Sequence, residues 1–221
     1  MPSFLARARA RGINPQNVIA YLSYRLMTGF GTALSTLALR TKAKLLGVDL
    51  GCGVTAHGPV SLMRWPGGTI TIGDSVHFIS SWRRATAATV FAPVRLRVFG
   101  EGSIVIGQGC EITGSAITAR STQVTLGKNV LVAPNCVITD SDFHAPWPAD
   151  KRSSDPGYER DCAVTIDDMV WLGMQTIVLK GVHIGKGAII GAGSVVTRDI
   201  PEYAIACGVP ARVLGFGEQT Q

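Results

Sequence analysis

The chain has 221 residues, 46% of them hydrophobic, 16% charged and 7% aromatic, with a net charge of +6. That apolar share supports one sizeable core, while no apolar window is long enough to span a membrane. All seven basic residues before Asp49 stand there without an acidic one. A charge confined to one end, with no recognised binding motif, argues against nucleic-acid binding.

Residues 3–11 read as a short basic helix stopped by Gly12. Pro15 opens a second helix at its first turn, with Val18, Ile19, Leu22, Leu26 and Met27 near i, i+3, i+4 spacing. Gly29 and Gly31 are expected to weaken or break it, and Leu34–Leu46 to continue as a third helical piece. The basic start leads into polar Asn14, Gln16 and Asn17, which does not fit a signal peptide. Residues 1–46 therefore form a separate basic helical segment with two readings. It caps the open end of a solenoid, or it lies on a membrane with arginines on lipid phosphates.

From residue 47 to 215 the pattern changes. Val48, Val60, Ile70, Ile72 and Val76 are candidate core positions, and residues 69–78 are the first clear repeat unit. Ser81 to Arg97 departs from it, with Trp82, Arg83 and Arg84 placed on a face or loop. Regularity returns with Ile106 and Ile112, then Leu126, Val132 and Ile138. Residues 113–122 between these sets read as a turn of altered length. Residues 142–163 carry three prolines and five acidic residues and cannot line an apolar core. They form an inserted loop. Residues 216–221 are a flexible tail.

After the loop, aliphatic residues recur at every sixth position: Ile166, Leu172, Val178, Ile184, Ile190 and Val196. Six is not a helical period. It fits short strands joined by sharp turns, each pointing one side chain into a shared interior. Gly173, Gly185 and Gly191 supply turns and close backbone approach. Stacked coils then bury a core that no single coil could bury. Five cysteines at 52, 110, 136, 162 and 207, without a CxxC, exclude a secreted disulfide scaffold. Buried thiols in a cytoplasmic protein are expected, at the inner face of the membrane on the second reading of the N-terminus. No metal site is expected.

Val182 to Pro201 reads V-x-I-G-x-x-x-x-I-G-A-G-S-V-V-T-x-D-I-P, followed by Ala206-Cys207-Gly208-Val209-Pro210-Ala211-Arg212-Val213. This resembles the hexapeptide-repeat acyltransferases, closest to those of sugars and surface polysaccharides. The resemblance implies an all-β solenoid, a left-handed parallel β-helix, and a homotrimer with active sites between subunits. It also implies acetyl-CoA as co-substrate and direct transfer of acetyl to a hydroxyl of a sugar or glycan intermediate. The family histidine follows a coil that ends in a short acidic stretch, here Ile138 to His144. It makes His144 the general base, with Asp142 as a catalytic partner and Asp140 and Arg160 toward the acceptor. Donor binding carries over to Trp171, Gly173, Lys180, Gly191, Ala192, Thr197, Arg198 and Arg212, with a backbone N–H near Trp171 to Gly173 for the oxyanion. Ser115 to Thr118 lacks the asparagine that galactoside and maltose acetyltransferases carry there. That absence and the basic N-terminus point away from free sugars toward surface-polysaccharide or lipid-linked glycan acceptors. A sugar-nucleotide N-acetyltransferase and a non-catalytic solenoid are the alternatives. A zinc carbonic anhydrase lacks its spaced histidines here.

Overall fold

The computed structural model describes residues 15–85 and 89–217. The basic helix expected over residues 3–11 lies outside them. The chain folds as a left-handed parallel β-helix of triangular section. Its first face stacks Asp49–Leu50, Thr69–Ile72, Ser103–Ile106, Gln123–Leu126, Val164–Ile166 and His183–Ile184. The second stacks Thr55–His57, His77–Ile79, Glu111–Thr113, Leu131–Val132, Trp171–Leu172, Ile189–Ile190 and Ala204–Gly208. The third stacks Val60–Arg64, Val94–Val98, Ala116–Ala119, Val137–Thr139, Ile177–Val178 and Val195–Val196.

The hexad positions form the interior. Ile166 sits under Ile184, Leu172 under Ile190 and Val178 under Val196. All six are buried, as are Ile106, Ile112, Leu126, Val132 and Ile138. Val60 is the exception among the expected core residues, only partly buried at the first coil. Cys110 and Cys136 are buried, but Cys52 and Cys162 are exposed, against the expectation of buried thiols. Cys52 stands at a turn and Cys162 at the end of the inserted loop, where side chains leave the prism.

The glycines divide the two tasks expected of them. A Cβ on Gly173 would lie 2.6 Å from the Ala192 amide, and one on Gly185 would lie 2.5 Å from the Glu202 amide. These glycines let coils approach. The left-handed turn conformation falls elsewhere, at Gly181, Gly187 and Gly193, and at non-glycine residues such as Asn129 and Gln175.

One helix, α1 (Pro15–Leu46), precedes the coils. It runs unbroken through Gly29 and Gly31, where weakening or a break was expected. Each glycine costs a helix about 1 kcal/mol relative to Ala, which weakens but does not forbid it. The C-terminal half is held by packing: Leu39 and Ala43 are buried in the core of the first coil. Gly47 at φ +63° ends the helix, with Val48 N–H donating to the Ala43 carbonyl and Gly47 N–H to that of Lys44. That pairing is a Schellman stop. Arg64 also donates to the Leu46 and Gly47 carbonyls. Among the described residues no helix is long and apolar enough to cross a membrane. At the other end Ala211–Phe216 folds back antiparallel on Ala204–Gly208, so Phe216 is paired rather than part of a tail.

Leu172→Ala removes a fully buried side chain from the centre of this stack and is expected to lower unfolding free energy by about 2–5 kcal/mol. Gly173→Ala, which adds one methyl, is expected to lower it by about 1–3 kcal/mol. Urea denaturation followed by circular dichroism measures both.

Candidate active site

The inserted loop leaves the edge between the third and first faces after Thr139, and a buried polar cluster closes its neck. Asp140 is fully buried. Its carboxylate accepts from the backbone N–H groups of Arg120, Ser121 and Thr122 and from the Thr122 hydroxyl. Its carbonyl accepts from Cys162 N–H at 3.0 Å. Asp140 thus ties the loop to the coil below and has no face toward an acceptor, contrary to the role expected for it.

Arg120 and Asp161 form the second tie. The guanidinium donates through Nε at 2.8 Å and Nη2 at 2.7 Å to the two carboxylate oxygens. A third donor, Nη1, reaches the Pro156 carbonyl. The Tyr158 ring lies 4.5 Å from the guanidinium carbon and the Phe143 ring 5.6 Å. Burial pushes the Asp161 carboxyl up, but hydrogen bonds from Arg120, Ser121 and Ser141, with the arginine charge, outweigh it and hold the carboxyl below its usual range. The same pair raises Arg120. Sequence reasoning missed both residues. The one available signal was an arginine at the end of a coil whose phase was already irregular.

His144 is exposed on this anchored loop. Phe143 before it has φ +66°, an unusual conformation for an aromatic residue. Its ring is held edge-on against Phe99 at 6.4 Å. On the other side, Ala145 N–H donates to the Asp155 carbonyl at 3.0 Å. Gly157 passes so close that a Cβ there would lie 2.9 Å from the Ala145 amide. The His144 Nδ1 lies 2.9 Å from the Arg152 carbonyl. A carbonyl only accepts, so Nδ1 carries the proton and the neutral ring keeps its lone pair on Nε2. Asp142 does not orient the ring. It pairs with Lys180 at 2.6 Å. Lys180 also donates to the Arg160 carbonyl, so it tethers the loop instead of standing free near a nucleotide. The Arg160 side chain is half exposed and meets Glu159 at 3.1 Å.

Trp171 lies on the second face, half exposed. In a triangular prism that face is opposite the edge carrying His144. Next to it is a cleft of about 280 Å³ lined by Arg84, Glu111, Thr113, Leu131, Pro134 and Trp171 among others. The Trp171 and Gly173 N–H groups donate to the Ala188 and Ile190 carbonyls. Neither is open to an oxyanion. The space beside Gly173 and Gly191 is filled by the next coil, Ala192 and Cys207 respectively, and not by a ligand groove. Ala192, Thr197, Arg198 and Arg212 are exposed. Thr197 and Arg198 lie above the loop on the His144 edge, and Arg212 lies on the hairpin of the second face.

Residues 163–198 match the family model described as bacterial transferase hexapeptide, six repeats. The match spans the run after the inserted loop, where the six-residue period is most regular. A galactoside O-acetyltransferase of Lactococcus lactis is 38% identical over 115 residues, 52% of this chain and 54% of that protein. One from Escherichia coli K12 is 43% identical over 91 residues, 41% of this chain and 43% of that protein. The chain spans about half the length of these relatives. Among solved structures, the N-acyltransferase AntD from Bacillus cereus, in complex with a dTDP-amino sugar and coenzyme A, superposes with a TM-score of 0.62. It is 19% identical, covering 81% of this chain and 89% of that one. The polysialic acid O-acetyltransferase OatWY gives 0.61 at 18% identity, covering 79% and 78%. At these identities the two structures establish the fold.

Asp161→Asn leaves the Arg120 guanidinium buried without a counter-charge. Its expected cost is about 3–5 kcal/mol, read as faster hydrogen exchange across residues 141–162. Because the folded Asp161 pKa lies below its unfolded value, the clamp contributes fully above the unfolded pKa and is lost as pH falls through the folded one. In wild type, loop exchange relative to the coils is therefore expected to rise on acidification, and in Asp161→Asn to lose that dependence.

Proposed function

We propose that the chain is an acetyl-CoA-dependent O-acetyltransferase that modifies a hydroxyl of a sugar or glycan intermediate. The observation that carries this reading is the His144 imidazole, fixed through Nδ1 on a backbone carbonyl with Nε2 turned free. The identity to galactoside O-acetyltransferases across the repeats supports the donor and the acceptor class.

His144 Nε2 takes the proton from the acceptor hydroxyl as its oxygen attacks the thioester carbonyl carbon. The C–S bond breaks as the tetrahedral intermediate collapses. The leaving thiolate takes the proton back from Nε2–H. Both substrates are bound together, so no acyl-enzyme is needed. Asp142 acts at one remove, by pairing with Lys180 and holding the loop that carries His144.

The active site is shared between subunits of a homotrimer. His144, Thr197 and Arg198 lie on one edge of the prism, and Trp171 and Arg212 on the opposite face. One donor reaches both sets only if the two come from neighbouring copies. Arg198 and Arg212 meet the nucleotide phosphates, Trp171 and Ala192 flank the pantetheine arm, and Arg160 approaches an anionic acceptor. The protein works in the cytoplasm, with α1 facing the membrane where lipid-linked glycans are available.

Acetyl transfer assayed with acetyl-CoA against sugars, nucleotide sugars and glycan fragments, with product mass as readout, tests the reading. His144→Ala is expected to lower kcat by about 10²–10⁴-fold at unchanged melting temperature and oligomeric state. Transfer to amino sugars but not to their hydroxyl analogues would instead identify an N-acetyltransferase. Unchanged turnover in His144→Ala would reject the histidine mechanism.

A further inference from the structure

A second cleft lies between α1 and the first two coils, and Arg84 stands between it and the cleft beside Trp171. It has a volume of about 160 Å³, and its polar lining includes Thr32, Ser35, His57, Arg83 and Arg84. Among the described residues no carboxylate lines it. Among the described residues neither arginine has an ion-pair partner.

The hydrogen bonds here do not close. The Thr32 hydroxyl lies 2.8 Å from both the Thr28 carbonyl and His57 Nδ1, and Arg84 Nη2 lies 3.1 Å from the same Nδ1. The hydroxyl has one proton. If it goes to Thr28, the ring must donate through Nδ1, and Arg84 then faces an N–H. If it goes to His57, two donors share one lone pair. In either case the exposed Arg84 guanidinium is not used up within the chain, and its remaining N–H groups face solvent in the cleft. Burial, then Arg84, then His77 push the His57 pKa down, so the positive charge of the cleft belongs to the arginines. Gly31 forms part of the floor, and a Cβ there would meet nothing within 4 Å. Packing within the chain does not explain a helix-weakening glycine at that position.

Ser35 also lines a neighbouring groove of about 320 Å³, whose other walls include Leu34, Ala38, Leu39, Pro59 and Val60. The groove is apolar apart from Ser35 and Lys42. It runs from the cationic cleft along α1, a helix without a single acidic residue.

We propose that this composite site binds a phosphoryl group carried on an apolar chain, with the phosphate on Arg83 and Arg84 and the chain along the Leu34–Val60 groove. A guanidinium with unused donors matches phosphate oxygens. The adjoining apolar wall favours an amphiphile over a free anion. The carrier is a bilayer phospholipid, because α1 also exposes Leu26, Met27 and Phe30 near the cleft.

Titration calorimetry with decyl phosphate and with inorganic phosphate tests the site. Decyl phosphate is expected to bind saturably and more than tenfold tighter than phosphate. Arg84→Ala is expected to weaken decyl phosphate at least tenfold. Leu34→Ser is expected to weaken decyl phosphate while leaving phosphate unchanged. Both positions are solvent-exposed, and a thermal melt of each variant confirms the fold. Sedimentation with phosphatidate-containing vesicles, lost in Arg84→Ala, identifies the bilayer as source. Decyl phosphate binding without vesicle binding overturns the bilayer as its source. Absence of saturable decyl phosphate binding, equal affinity for the two probes, or indifference to Arg84→Ala overturns the proposal.

Discussion

Stacking of one aliphatic side chain per face, coil upon coil, is the constraint on which the molecule rests. Each hexad residue touches its equivalents above and below, so the core is continuous although no coil has one of its own. Close stacking requires that backbones approach at the edges, and Gly173 and Gly185 stand where a single methyl would meet the amide of the next coil. The prism is therefore rigid, and it can carry irregular chain only at its edges.

The inserted loop shows what such an edge can do. Its neck is buried, and burial of charged groups demands complete pairing. Asp140 satisfies three backbone amides, and Asp161 takes both arms of the Arg120 fork. Phe143, in a left-handed conformation, is wedged between Phe99 and Arg120. These contacts hold the backbone on either side of His144. The rigidity of the coils is thereby passed to an exposed imidazole whose proton is assigned by a carbonyl.

The two ends of the chain differ in character. The C-terminal hairpin and last coils present exposed arginines on a regular scaffold. At the N-terminus, α1 covers the first coil with Leu39 and Ala43, while Leu26, Met27 and Phe30 remain exposed. Between helix and coil the polar groups of Thr32, His57 and Arg84 do not satisfy one another. A polar cluster that packing leaves incomplete beside an apolar groove has the character of a binding surface and not of a cap alone.

Much of the fold was legible because a six-residue period has few physical solutions. Ile166 to Val196 named their own interior positions, and His144 could be placed at the exit of a coil from the short acidic run before it. The partners of these residues were not legible, because they come from distant coils. Nothing near Asp142 in sequence announces Lys180, and nothing near Arg120 announces Asp161, forty-one positions on. Gly29 and Gly31 were read as weak points or breaks because local propensity was weighed without the packing that holds α1. The sequence by itself determined the coil, its core residues and the place of the loop, since those follow from periodicity. Only the tertiary structure decided that Asp140 is an anchor, that a carbonyl orients His144, and that His144 and Trp171 lie on opposite sides of one prism, since those depend on which coils lie side by side.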